Sequence, residues 1–233
     1  MKIYNKGVIL KMNNKNLYDK IVKILNKEDK EPMETLEKIK KELETEIITG
    51  GKINNNIKQA FKRLQNENSI RTKFQNVLRN GGNNYTITNA YYLITYTGEQ
   101  LPKELKAYIN PNEKEIDDGL QFEKLRNMDG EIKKISINYE NLLKIHKYNK
   151  LNKLDDMYTL SGGLTFDIQF FLDILALLKE KDLKNVELEI SEHNHHPMNI
   201  ISENGKAILL PIRMDEDKIE NRLKLQEKII KGE

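Results

Sequence analysis

The sequence has no cysteine and no tryptophan, and only five of its 233 residues are proline. Without thiols the chain forms no disulfide, carries no cysteine nucleophile and offers no thiolate to zinc. No apolar run reaches the ~20 residues that a bilayer span requires. The lysine-rich start also lacks an apolar block followed by a small-residue cleavage site, so a cytoplasmic protein without membrane contact is expected. Neither sign of charge dominates: 39 Lys and Arg stand against 36 Asp and Glu, a net +3. That balance names no polyanionic partner, and only the placement of charge can do so. What the chain does have is 32% charged and 38% hydrophobic residues, more charged than an average soluble domain but long enough to bury a core.

Hydrophobic spacing divides it into four segments. In residues 1–51 a short apolar stretch, Val8 to Leu10, precedes two amphipathic helices. One carries Leu17, Ile21, Ile24 and Leu25; the other opens near Pro32, carries Leu36, Ile39, Leu43 and Ile47, and stops at Gly50-Gly51. From residue 53 to 130 the pattern is a helix on Ile57, Ala60, Phe61 and Leu64, a strand over Arg71–Leu78, a turn at 81–84, strands Tyr85–Thr88 and Tyr91–Tyr96, and a long polar connection from 98. From 131 to 214 a strand at Ile135–Ile137 leads to a helix capped by Asn138. There follow a strand Met157–Leu160, a strongly apolar helix capped by Asp167, and strands Val186–Ile190, Met198–Ile201 and Ala207–Ile212 around an Asn204-Gly205 turn. Residues 215–233 form a charged helical tail. The class is α+β, with helices packed on antiparallel sheet.

Enzyme signatures are scarce. No phosphate-binding glycine loop occurs, Ser161 lacks a nucleophile-elbow frame, and the pairs Asp117-Asp118 and Asp155-Asp156 put adjacent carboxylates on opposite sides of an extended chain. The one concentration of ligating side chains is E-H-N-H-H-P, with His193, His195 and His196 beside Glu192. It lacks an H-E-x-x-H frame and is expected to be an exposed turn. The rival reading makes it the centre of a metal-dependent nuclease or hydrolase. No catalytic residue, metal or cofactor is therefore assigned.

One resemblance implies a function. The stretch L-T-F-D-I-Q-F-F-L-D-I-L-A-L-L from Leu164, then N-V-E-L-E-I-S, then A-I-L-L-P-I-R-M ending at Met214, resembles the closing segment of the bacterial DNA polymerase III β subunit family, the sliding clamps. Upstream, S-I-R-T-K-F-Q-N-V and T-I-T-N-A-Y-Y-L-I resemble two strands of the clamp's middle domain. The sequence departs where the family's usual Asp-Gly pair is Asn89-Ala90 and its following Arg is Tyr92, and the chain is too short for three full domains.

The resemblance implies clamp-like repeats, with 53–130 an abbreviated middle domain and 131–214 a carboxy-terminal domain. It also implies a noncatalytic DNA replication accessory protein of the processivity-factor type. Between the two domains it implies a hydrophobic pocket for short apolar motifs of polymerases or clamp loaders, lined by Arg71, Phe74, Thr88, Leu93, Ile208, Leu210, Pro211 and Arg213. On the helices it implies sequence-independent contact with double-stranded DNA through Lys58, Lys62 and Arg63, and through Lys144, Lys147 and Lys150, all off the apolar stripes. A six-domain ring would require several chains, so a homo-oligomer is an expectation. The remaining alternative is a clamp mimic that binds replication proteins without binding DNA. Abundant Lys, Asn and Ile suit an AT-rich genome and a mobile element.

Overall fold

The computed structural model describes residues 21–24, 31–49, 54–68, 72–109, 131–193 and 195–232. The Val8–Leu10 stretch, most of the first expected helix and Arg71 lie outside them. Five helices are described in full: α1 Pro32–Thr49, α2 Asn55–Glu67, α3 Tyr139–Asn152, α4 Ile168–Leu177 and α5 Glu216–Lys231. The strands are β1 Leu78–Arg79, β2 Asn84–Thr88, β3 Tyr92–Thr97, β4 Ile132–Ile135, β5 Met157–Thr159, β6 Thr165–Asp167, β7 Glu187–Ser191, β8 Met198–Ser202 and β9 Gly205–Leu209. Two 3₁₀ segments cover Thr72–Gln75 and Lys103–Tyr108.

Seven strands join in one wholly antiparallel sheet of order β1-β2-β3-β9-β8-β7-β4, and β5 with β6 makes a separate hairpin. The register places Ile87, Ile94, Ala207, Ile200, Leu188 and Ile135 in a single row across six strands. Alternation turns this row toward the helices, where it meets Ile57, Phe61 and Leu64 of α2 and Phe171, Ile174 and Leu175 of α4 in one continuous core. The strands of 53–130 and 131–214 therefore share a sheet and a core across the β3–β9 pair. Loss of a fully buried Ile or Leu among these to alanine carries the usual cost of about 2 to 5 kcal/mol.

Each side of that pair begins with a three-strand meander, and β4 extends the second side by one more strand. A helix, α2, is followed by the meander β1-β2-β3; a second helix, α4, is followed by β7-β8-β9; and α2 packs directly on α4. Both helices open on a side-chain cap, Asn54 accepting from the Asn56 amide and Asp167 from the Phe170 amide. Helix α3 packs beside α4, while α5 packs on α3 and β5. Among the described residues no helix is long and apolar enough to cross a membrane.

Several strands differ from the sequence expectation. The Arg71–Leu78 strand is mostly a 3₁₀ turn, because side-chain amides take over its backbone groups: Gln65 donates to Gln75 O, and Asn68 donates to Phe74 O. The strand expected at Ile135–Ile137 runs instead over Ile132–Ile135. The final strand ends at Leu209 rather than Ile212, since Pro211 has no amide to offer the ladder. The chain then crosses so that Ile212 N donates to Thr165 O of β6 at 2.7 Å. Strand β6 itself is not signalled by spacing, as Thr165–Asp167 is only three residues long and leads straight into a helix.

Candidate functional site

Most of the implied peptide-pocket residues come together at one corner of the sheet, where β2 turns into β3 and β9 ends. The turn is built locally. Asn89 Oδ1 accepts from the amides of both Tyr91 and Tyr92 at 3.0 Å, the Thr88 hydroxyl donates to Tyr92 O at 2.6 Å, and Ala90 is held at φ 72°. That left-handed conformation favours glycine, so Ala90 is strained. Register then sets Thr88 opposite Leu93 and Leu93 opposite Ile208. Asn68 ties in the Phe74 segment by donating to both Phe74 O and Thr88 O, at 3.0 and 2.7 Å.

Leu93 and Ile208 form a small cluster on the face of the sheet away from the main core, only 4% and 2% exposed. Leu210 differs: it is 44% exposed, and its amide donates to Tyr91 O at 2.8 Å. Phe74 and Pro211 are half-buried and Arg213 is exposed. The exposed apolar surface of this corner is completed by Tyr91 and Phe170, which the implied pocket does not include. Tyr91 is 50% exposed and stacks on Phe170 of α4 with ring centroids 5.2 Å apart, and Tyr92 meets the same ring edge-on. Sequence spacing gives no signal for this pairing, because residues 91 and 170 meet only through packing of α4 on β3.

The implied DNA-facing cations lie on two helices that flank α4. Lys58 and Lys62 are exposed on α2, and Lys144 and Lys147 on α3. Arg63 is otherwise engaged: its guanidinium grips Asp173 of α4 through Nε and Nη2 at 2.5 to 3.0 Å. Hydrogen bonding to this carboxylate raises the Arg63 pKa further. Gln169 donates to the same Asp173 at 3.0 Å. Behind the pair, burial pushes the Tyr92 hydroxyl well up and the Asp173 charge pushes it further. Lys150 is exposed but only 3.6 Å from Asp156, which also receives His146 Nδ1 at 2.8 Å. A groove of about 400 Å³ runs over α4 between α2 and α3; Gln59 and Arg63 form one wall, Leu143 the other, Leu172 and Ala176 the floor, and Lys179 and Lys181 one end. Those last two cations come from the loop after α4, to which helical periodicity assigns no face.

The three histidines form the β7–β8 turn. Their ring centroids lie 4.6, 5.0 and 5.4 Å apart. Ser191, buried at the end of β7, is 2.7 Å from His196 Nδ1 and accepts from the His193 amide at 3.0 Å. Partial desolvation, then the neighbouring imidazoles and Arg213, hold His195 below the ordinary histidine value. As the side chains stand, no three His, Asp or Glu among the described residues are arranged around a metal position. No protein-family model, no curated protein and no solved structure matches this chain.

Proposed function

We propose that this protein is a noncatalytic, sliding-clamp-like accessory factor that rests on double-stranded DNA through its helical layer and holds a partner by the apolar corner at Tyr91 and Leu210. The observation that carries the reading is the twice-used unit of one helix and a three-strand meander, joined at β3–β9 with α2 against α4. The sequence resemblance implies clamp-like repeats of a helix on antiparallel sheet, and this repetition supports that reading. The turn before β3 supports it further: Asn89-Ala90 stands where the family has Asp-Gly, and Ala90 is held in the glycine-favouring conformation while Asn89 accepts the two amides an aspartate would take.

The mechanism is tethering. Exposed lysines on α2 and α3 give sequence-independent contact with phosphates, and the corner raises the local concentration of a partner carrying a short apolar motif. One doubled unit does not surround a duplex, so encirclement requires several copies, and a single copy acts by binding alone. Duplex binding followed by fluorescence anisotropy across a salt series tests the first half. Lys58→Glu with Lys62→Glu lowers affinity and flattens the log–log salt slope by about 0.9 for each phosphate no longer neutralised. An unchanged slope refutes DNA contact by α2. Leu210→Asp tests the second half: it abolishes capture of an apolar clamp-binding peptide while the thermal transition stays in place, because a charge must be desolvated there. Retained affinity removes the corner from the mechanism.

A further inference from the structure

We propose that His193, His195 and His196 form a zinc site at the β7–β8 turn, one that needs only side-chain rotation to close. A tetrahedral zinc holding three imidazoles at 2.0 to 2.1 Å sets their ring centroids about 5 Å apart. The rings here are already at 4.6, 5.0 and 5.4 Å. The ring spacing suits that chemistry, and the ring nitrogens, which as they stand enclose no metal position, have still to turn inward. His193 and His195 are exposed, which leaves their rings room to rotate.

His196 is the anchored ligand. Ser191 Oγ lies 2.7 Å from His196 Nδ1 and sets the ring direction; in the tautomer whose Nδ1–H donates to that oxygen, the Nε2 lone pair is left for the metal. Ser191 is itself held, since it is buried in β7 and accepts the His193 amide, while the His196 amide closes the turn on His193 O at 3.1 Å. The fourth position falls to water or to the Glu192 carboxylate, whose Oε1 is 3.9 Å from His193 Nε2. An all-nitrogen set with one oxygen suits zinc and its neighbours cobalt and nickel rather than calcium or magnesium. The site is independent of DNA contact by α2 and α3. Its effect is to pin the turn and add positive charge near Arg213.

The test uses the full chain, stripped of metal and titrated with Zn²⁺ by calorimetry and with Co²⁺ by visible absorption. The expected result is one ion per chain and the intense d–d bands of tetrahedral cobalt. His195→Ala and His196→Ala each abolish both signals, Ser191→Ala weakens zinc binding by about 10-fold as removal of an orienting partner does, and His146→Ala changes nothing. Circular dichroism of each variant checks that the fold is kept, and His195→Asn repeats the measurement if the alanine variant fails that check. Absence of cobalt bands in the parent chain, or zinc binding that survives both histidine substitutions, overturns the proposal. DNA affinity is unaffected by either result.

Discussion

The Arg63–Asp173 pair allows a stability prediction with a built-in asymmetry. Its two members are exposed very differently, the Asp173 side chain at 3% and that of Arg63 at 44%. Among the described residues, Arg63→Ala leaves a buried carboxylate with only the Gln169 amide as a donor. Breaking a fully buried pair this way costs about 3 to 5 kcal/mol; since water reaches the Arg63 side of this one, about 2 to 3 kcal/mol is expected. Asp173→Ala frees a guanidinium that can turn outward and hydrate, so its cost falls to about 1 kcal/mol for the missing hydrogen bonds and helix–helix packing. For a chain of this size each kcal/mol moves the melting temperature by roughly 2 to 4 °C. Arg63→Ala should therefore melt about 4 to 12 °C lower than the parent, and Asp173→Ala only about 2 to 4 °C lower. Thermal unfolding followed by circular dichroism, with Arg63→Ala/Asp173→Ala closing a double-mutant cycle, measures the coupling directly. Equal costs in the two single variants, or a coupling below about 0.5 kcal/mol, refute the argument that burial of one partner sets the energetics. The same variants separate structure from DNA contact. Because Arg63 is committed to α4, its removal in protein that remains folded should weaken duplex binding less than Lys62→Glu does.

Other consequences follow from single contacts. Gln226 of α5 is buried and its amide spans the backbone of Thr159, accepting from N at 2.7 Å and donating to O at 2.9 Å. Gln226→Ala orphans both groups and should cost about 2 to 4 kcal/mol, read as a lower chemical-denaturation midpoint; a change under about 0.5 kcal/mol would mean that α5 is not docked on β5 as described. Burial lifts the Asp167 carboxyl above its ordinary 3.8, so the folded state favours its protonated form. Stability from this group is thus complete below that value and is lost as pH rises through the raised one. Asp167→Asn keeps an acceptor for the Phe170 amide but has no proton to lose, so the parent should lose stability relative to it across that window; a difference that stays flat with pH contradicts the sign. Ala90→Gly relieves the φ of 72° and should gain about 0.5 to 1 kcal/mol in thermal unfolding, whereas a loss would show that the turn is not strained.

Local chemistry was readable from the chain alone. The caps at Asn138 and Asp167, the apolar stripe of α2, most of that of α4, and the Asn204-Gly205 turn are all consequences of residues within a few positions of one another, so periodicity and capping preferences find them; on α3 spacing puts Leu143 on the buried face, whereas Leu142, Ile145 and Asn149 are the buried side chains and Leu143 is exposed. Lys58, Lys62, Lys144 and Lys147 were legible as exposed for the same reason, because they sit off those stripes. What spacing along the chain does not encode is which distant elements meet. The β3–β9 pair that fuses both halves into one sheet, the capture of Arg63 by an aspartate 110 positions away, and the stacking of Tyr91 on Phe170 arise only when α4 packs across β3 and β9. Hydrophobic burial drives that packing without direction, and register and ion pairing then decide which partners stay, so the corner and the groove belong to the tertiary structure.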